Sequence, residues 1–169
     1  AEGTVVKEET KVERMLVSGV AVDKNTARIS VLGVKNEPGI AFRIFNMLAK
    51  NQINVDIIIQ SVGREDKKDI SFTVARTDLA EALDILNENK ETFTASEITC
   101  DETVAKVSII GAGMVSNPGV AAKMFEALAN GDVNIKMIAT SEIRITVLID
   151  EQDANRAMRL VHDAFDLAD

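Results

Sequence analysis

One stretch of this chain occurs twice, and that repetition limits the folds the chain can adopt. Residues 29–61 align with residues 107–141, and many identities recur at a constant spacing of 80 positions. Among the identical pairs are Pro38/Pro118, Gly39/Gly119, Ala41/Ala121, Phe45/Phe125, Leu48/Leu128, Ala49/Ala129, Asn54/Asn134 and Ser61/Ser141. The strand ahead of them aligns at a spacing of 78, so the second copy carries two extra residues in its loop. Since two copies are too few for a solenoid, the pattern predicts duplication of one small domain.

Composition narrows the classes of partner and compartment. The 169 residues are 46% apolar and 4% aromatic, which suits two modest aliphatic cores. A net charge of −8 argues against nucleic acid and anionic membrane surfaces, which bind basic faces. Cys100 is the one cysteine, so no intrachain disulfide or thiolate metal cluster is expected. No apolar run reaches the ~20 residues of a membrane span, and no signal peptide is recognisable at the amino terminus. A reducing cytoplasm is therefore expected.

Hydrophobic periodicity predicts a β-α-β-β-α-β order for the first copy, which is the ferredoxin-like split arrangement. The expected elements are strands at 28–33, 53–60, 70–75 and 97–100, with a helix from Pro38 to about Lys50 and a second one after Asp78. Pro38 suits a first helical residue, and residues 62–68 look like a charged hairpin loop. Asp78 with Glu81 resembles an acidic capping box. The second helix is expected to bury the stripe Leu79, Ala82, Leu83 and Leu86.

The second copy repeats this order but lacks its last strand. Strands are expected at 106–110, 133–139 and 143–149, with helices at 118–129 and 151–166. Asp150 is the expected cap of the last helix, with Asp153 at its third position. The inward residues of that helix are Ala154, Ala157, Met158, Val161 and Phe165. The unassigned strand Met15–Val22 is predicted to complete the second sheet, because an unpaired edge would invite aggregation. The expected domains are a lead-in arm at 1–14, a first domain at 24–102, and a discontinuous second domain at 15–23 plus 103–169.

No catalytic, metal or cofactor site is expected from the residue pattern. His162 is the one histidine and has no recognisable orienting partner, and a cation late in a helix is favourable without any function. The run Gly111-Ala112-Gly113 lacks the third glycine of a dinucleotide fingerprint. A ferredoxin-like RNA-binding module would need aromatic residues on its sheet, and Phe72 is the single aromatic in a predicted strand.

The repeated Pro–Gly corner is the candidate binding feature. A helix that starts at Pro–Gly presents free backbone N–H groups, which suit a carboxylate. The corner occurs twice, each time with an asparagine, Asn54 or Asn134, at the start of the next strand. Two polar residues at matching places in that strand are placed to fix the head of an amino acid: Gln60 and Thr140. The plainer alternative is that Pro–Gly only starts a helix.

Two longer stretches carry a family resemblance. They are SGVAVDKNTARISVLGVKNEPGIAFRIFNMLAKNQINVDIIIQS and IGAGMVSNPGVAAKMFEALANGDVNIKMIATSEIRITVLI. They resemble tandem ACT domains, which are small amino-acid-binding regulatory modules, and more narrowly the regulatory region of aspartate kinase (aspartokinase). The resemblance covers roughly residues 15–167. It implies an α+β fold of two ferredoxin-like (βαββαβ) ACT domains in tandem, the second completed by the strand ahead of the first.

The resemblance also implies a function and a site. The chain would be an allosteric regulator without a catalytic site, acting on an aspartate kinase catalytic domain or α subunit. Its effector would be lysine, threonine or both, bound between ACT domains of two chains in a homodimer, with no other cofactor. The implied effector-binding residues are Asn36, Gly39, Ile40, Ala41, Asn54, Val55, Asp56, Gln60, Val120, Ala121, Asn134, Ile135, Thr140 and Ser141. Many relatives have Asp at the place of Asn36, and a neutral contact to an ammonium is weaker than a charged one.

Some alternatives stay open at this stage. An ACT-domain regulator of a different amino-acid enzyme would share the repeat and the Pro–Gly corners. The choice between lysine and threonine is also open, as is the choice between a separate β subunit and part of a longer kinase. Binding could inhibit the kinase, or it could only organise the dimer.

Overall fold

The structure is a computed structural model that describes residues 17–112 and 117–166. The strands of these residues are β1 (Val17–Asp23), β2 (Ala27–Lys35), β3 (Val55–Val62), β4 (Lys67–Val74), β5 (Glu97–Asp101), β6 (Val104–Gly111), β7 (Met137–Thr140) and β8 (Arg144–Asp150). The α-helices are α1 (Ile40–Lys50), α2 (Leu79–Glu88), α3 (Pro118–Asn130) and α4 (Ala154–Ala164). No helix in the described ranges is long and apolar enough to cross a membrane.

The described chain divides into two compact units. The copy-one unit contains residues 25–104, and the copy-two unit joins the segment up to residue 24 to the segment from residue 105 onward. These bounds follow from which residues contact one another. The predicted domain boundaries concern which segments fold together, and they stay a prediction.

The copy-one unit is an antiparallel sheet in the order β3-β4-β2-β5 with two helices packed on one face. Alternate residues of β2 and β4, among them Ile29 and Phe72, face the helices and are fully buried. The predicted helical stripe is buried too: Ile44 and Leu48 are inaccessible, and the ring of Phe45 meets that of Phe72 edge-on at 5.2 Å. The predicted α+β, ferredoxin-like βαββαβ order is confirmed.

The copy-two unit takes its fourth strand from the start of the chain. Its sheet has the order β1-β6-β8-β7, and β1 runs antiparallel to β6 with Val20 opposite Ile109 and Val22 opposite Val107. Val17 is 1% exposed and belongs to the second core. The prediction that an early strand completes the second sheet is confirmed. The strand is described from Val17, and the predicted start at Met15 lies outside the described residues.

The predicted side-chain caps of two helices are wrong. The helices α2 and α4 each follow a 3₁₀ turn, Arg76–Asp78 and Glu151–Asp153, and no described side chain makes a cap hydrogen bond at Asp78, Asp150 or Asp153. Asp78 has φ −97° and ψ −4°, and Asp153 has φ −93° and ψ −2°. A side-chain cap needs an extended backbone, which the 3₁₀ turns deny to Asp78 and Asp153. Asp150 has an extended backbone, with φ −66° and ψ 136°, but its carboxylate pairs with Lys136 at 2.7 Å.

Periodicity also misplaced one strand start and one buried side chain. The strand predicted at 133–139 begins only at Met137, although Val133 and Ile135 pack on the second core. A buried loop therefore produced the same apolar alternation as a strand. Met158 was predicted inward and is 38% exposed, because Ala157 and Val161 occupy the inward stripe of α4. Leu83 in α2 is only partly buried.

A β-bulge at Gly33 shapes the end of β2. The register with β4 shifts between Val31 and Val34, and Gly33 has φ 69°. Its N–H donates to Oδ1 of Asp69 at 2.9 Å. A Cβ on Gly33 would collide with the hydroxyl of Ser96, which lies close because Ser96 donates to the carbonyl of Leu32. Glycine is therefore required here for both conformation and space.

Replacing Gly33 tests this close approach. Gly33→Ala should destabilise the protein by more than the ~1–2 kcal/mol of a left-handed backbone alone. Gly33→Ala in a Ser96→Ala background, compared with Ser96→Ala alone, is the matched control, since it keeps the φ of 69° and removes the hydroxyl that the new Cβ would meet. Urea unfolding gives the free energy lost in each background. Equal losses would show that contact with Ser96 has no role.

Removing the first strand tests the predicted domain boundaries. Without residues 1–23, β6 loses one of its two neighbouring strands and becomes an open edge, so the copy-two unit should lose most of its amide exchange protection. The copy-one unit should keep its protection, because its sheet is complete without β1. Hydrogen exchange of the truncated chain measures both. Unchanged protection in β6 would contradict the prediction.

Candidate functional site

The copy-one corner is the turn Pro38–Gly39 with the first turn of α1. The helix begins at Ile40, two residues later than predicted, and Gly39 precedes it with a left-handed backbone. No described side chain caps this helix, and the first backbone bond runs from the N–H of Arg43 to the carbonyl of Gly39 at 3.0 Å. The N–H groups of the first turn have no intrahelical acceptor, so they are available to an anion.

The copy-two corner starts its helix differently. The helix α3 begins at Pro118, as predicted, and its cap residue Asn117 makes no cap hydrogen bond through a described side chain. The N–H of Val120 bonds to the carbonyl of Asn117 at 3.0 Å. Residues 113–116, including Gly113, lie outside the described part of the chain. The same Pro–Gly sequence therefore gives two different helix starts.

Gln60 lies at the copy-one corner. It pairs with Ile70, which is in the first core, so Gln60 is on the face of the sheet that the helices cover. The helix α1 starts five residues after the end of β2, and β2, β4 and β3 align at that end through Val34, Lys68 and Val62. Gln60 and the start of α1 thus lie at the same end of the unit. The side chain of Gln60 is exposed because β3 is an edge strand.

Asn54, Val55 and Asp56 lie at the opposite end of β3. Six residues separate Asn54 from Gln60, which corresponds to about 20 Å along a strand at ~3.3 Å per residue. Asn54 and Asp56 are exposed, and Val55 is half-buried. Within one chain, these predicted residues are not brought together with Gly39, Ile40 and Ala41.

Asn36 lies on a loop that is tied to the neighbouring hairpin. Its backbone N–H donates to the carbonyl of Asp66 at 2.9 Å, and the N–H of Lys35 donates to Oγ1 of Thr94 at 3.3 Å. Asn36 itself is exposed at the surface of the corner. The hydrogen bonds fix the backbone and leave the amide accessible.

Two predicted contact residues can offer only their backbone. Ile40 is 1% exposed and Val120 is fully buried, so their side chains belong to the cores. Ala41 and Ala121 are half-buried. At Ile40 and Ala41 a ligand would meet backbone N–H groups and no polar side chain, whereas the N–H of Val120 already bonds to the carbonyl of Asn117.

The remaining copy-two residues surround the end of β7. Thr140 pairs with Ile145, as Gln60 pairs with Ile70 in copy one. The N–H of Ser141 donates to the carbonyl of Arg144 at 2.8 Å within the hairpin. Asn134 and Ile135 precede β7 and are not in the sheet. The two corners are therefore built alike in β7 and β3 and differ at the helix start.

The sequence reading missed Lys68, which it assigned to a hairpin loop. The structure extends β3 to Val62 and starts β4 at Lys67, so Lys68 is part of the sheet. It pairs with Val34 and Val62 and is only 7% exposed. Its alternation in phase with Ile70 and Phe72 was the available signal for burial.

A metal site is not formed by the described residues. Within 17–112 and 117–166, no three His, Cys, Asp or Glu side chains are placed to hold an ion together. His162 is half-buried on α4, beside Val20 of β1 and Met158.

Comparison with known proteins gives the family. The ACT domain model matches residues 29–89 and 107–165. An aspartokinase of Helicobacter pylori is 47% identical over 174 residues, which cover 99% of this chain and 42% of that protein. The chain therefore spans less than half the length of this curated relative.

Solved structures give the same result. A chain from the crystal structure of aspartokinase alpha and beta subunits is 48% identical with a TM-score of 0.84, over 89% of this chain and 99% of that one. The ligand-free regulatory subunit of aspartate kinase from Thermus thermophilus is 43% identical with a TM-score of 0.84 over the same shares. Since nearly all of a regulatory subunit matches it, this chain belongs to the ACT domain family, as the tandem ACT domains of the regulatory part of an aspartokinase.

Proposed function

We propose that this chain binds a free amino acid at its copy-one corner and thereby regulates an aspartate kinase. The expected effector is lysine, threonine or both, as products of aspartate-derived biosynthesis that act by feedback inhibition. The observation that carries the proposal is the uncapped, glycine-led start of α1 with Gln60 at the same end of the sheet. That arrangement offers donors for a carboxylate and an acceptor for an ammonium.

The carboxylate of the amino acid would accept hydrogen bonds from the first N–H groups of α1. The positive end of the helix dipole favours a negative charge there. The ammonium would donate to the side-chain oxygens of Asn36 or Gln60 or to nearby strand carbonyls. Lysine is the slightly preferred effector, since the exposed carboxylates of Glu37, Glu65 and Asp66 lie on the adjoining loops and suit a second positive charge.

A second chain would complete the site. Asn54 lies about 20 Å and Asp56 about 13 Å from Gln60 along the strand, so they would reach an effector from another copy of the chain. The edge strand β3 supports this proposal, because Ile58 is 52% and Val62 is 67% exposed on it. An exposed apolar edge strand is a ready surface for pairing. We therefore expect a homodimer through ACT domains.

Regulation would act on a catalytic partner. A chain 48% identical to this one was crystallised among aspartokinase alpha and beta subunits, which supports a catalytic domain or α subunit as the partner here. Effector binding would change the kinase equilibrium by a coupling free energy of typically about 1–3 kcal/mol. The lone exposed Cys100 is compatible with the expected cytoplasmic location.

Removing the polar head of Gln60 tests the effector site. Gln60→Ala should weaken binding of lysine or threonine by about five- to 150-fold, because it leaves a bound polar group unpaired. Thr140→Ala, at the matching place of copy two, should have a smaller effect if the copy-one corner is the occupied one. Calorimetric titration of both variants measures this. Equal small losses, or no binding of any amino acid by the parent chain, would mean that Pro–Gly only starts a helix.

Charging the edge of β3 tests the assembly. The parent chain should sediment as a dimer at micromolar concentration, and Ile58→Asp should shift it toward monomer, because a carboxylate would be buried at the interface. Met158→Asp changes an exposed apolar residue on α4 and is the control. A monomeric parent chain with and without lysine or threonine would contradict the homodimer, and so would dissociation by Met158→Asp alone.

A further inference from the structure

Lys68 is a nearly buried cation without a counter-charge. It is 7% exposed, and lysine is rarely so buried unless it is paired. Its ammonium makes no hydrogen bond or ion pair within the part of the chain that the structure describes. The described polar side-chain atoms that are fully enclosed and unpaired are Thr26 Oγ1 and Arg28 Nε. Nζ of Lys68 is not among them, so it stays within reach of solvent and of a ligand.

The position of Lys68 places that ammonium at the copy-one corner. Lys68 lies between Val34 and Val62 in the sheet, on the face that also holds Ile70 of the first core. Gln60 is its diagonal neighbour on this face, at a separation that long side chains can bridge. The loop to α1 is held at the same end by the hydrogen bond from Asn36 to the carbonyl of Asp66. Lys68, Gln60 and the uncapped helix start therefore lie at the same end of the copy-one unit.

This arrangement places two positive centres on one side of the sheet, with the exposed carboxylates of Glu37, Glu65 and Asp66 on the adjoining loops. The start of α1 carries a partial positive charge, and the Lys68 ammonium adds a full one on the same side. The apolar stem of Lys68 packs between Val34 and Val62. This packing is favourable by itself, because a lysine can cover apolar surface while its ammonium stays in water. Packing of the stem does not by itself explain why the side chain at this place ends in an ammonium. A carboxylate would neutralise both positive charges.

Copy two lacks this cation. Ile145 pairs with Thr140 as Ile70 pairs with Gln60, and the residue two positions earlier is Ile143, which lies in the turn before β8 and not in the sheet. Ile143 is 59% exposed. The duplicated sheet can thus fold without a lysine here.

We propose that Lys68 binds the carboxylate of the effector and makes the copy-one corner the carboxylate-binding one of the two. This inference rests on the proposed function and names the residue that selects the class of ligand. The site takes an α-amino acid with a free carboxylate and discriminates against its carboxamide. The copy-two corner, which has Ile143 and no lysine, does not discriminate between the acid and its carboxamide.

The test combines one charge removal with one ligand change. Lys68→Met keeps an unbranched stem and removes the ammonium. The ligands are L-lysine and L-threonine, each compared with its carboxamide by calorimetric titration of the full chain. In the parent chain the acid should bind more tightly than the amide. In Lys68→Met the acid should lose about ten- to 150-fold in affinity, as for a lost charge-assisted hydrogen bond, while the amide changes little.

Two further variants serve as controls. Lys67→Met removes an exposed positive charge from the neighbouring position and should leave the acid-to-amide ratio as in the parent chain. Lys68→Arg keeps the charge and should keep the preference for the acid. It also tests the inference if Lys68→Met does not fold, because loss of the preference in a folded Lys68→Arg would overturn it.

The outcomes separate this inference from the proposed function. Unchanged binding of the acid by Lys68→Met, or equal losses for acid and amide, would overturn the role of Lys68 and leave the effector site standing. A structural role would lower both affinities together, whereas a carboxylate contact lowers only one. Failure of the parent chain to bind either amino acid would overturn the proposed function and this inference with it.

Discussion

The pairing of β2 with β4 is the contact on which the copy-one corner depends. Five consecutive pairs, from Ala27–Val74 to Val31–Ile70, hold the first core, and the bulge at Gly33 then adds one residue to β2. Because side chains alternate with a period of two, the extra residue returns Val34 to the core face, opposite Lys68, which shares that face with Ile70 by alternation along β4. The bulge also directs the chain into the loop that leads to α1. The first core, the surroundings of Lys68 and the start of α1 therefore depend on the same register between β2 and β4.

Duplication supplied two similar corners, and the structure shows how they diverged. Copy one precedes its helix with Gly39 in a left-handed conformation, whereas copy two starts directly at Pro118. Lys136 occupies the place in copy two that Asp56 holds in copy one, and it is paired with Asp150 at 2.7 Å. The same place therefore carries a paired cation in copy two and a carboxylate in copy one.

Because β1 comes from an earlier part of the chain, the copy-two unit has a complete sheet but is built from two separate segments. Without β1, β6 would be an open edge of that sheet. The ion pair between Lys106 and Asp23 lies at the far end of this pairing, at 3.6 Å. Exposed ion pairs contribute little, so the apolar contacts of β1 with the second core are the main stabilisation. The chain therefore leaves the copy-two unit after β1, forms the copy-one unit, and returns to the copy-two unit at β6.

The sequence by itself determined the duplication, the βαββαβ order, the buried stripe of α1 and the missing strand of copy two. These features rest on local periodicity and on the count of strands, both of which are visible along the chain. Only the tertiary structure decided the 3₁₀ starts of α2 and α4, the exposure of Met158 and the late start of β7. It also decided the burial of Lys68, which looked like a loop residue beside Arg64, Glu65 and Asp66. The reason is that burial depends on contacts between residues far apart in sequence: the alternation of Lys68 with Ile70 and Phe72 was visible, but its pairing with Val34 and Val62, which extends the sheet to it, was not.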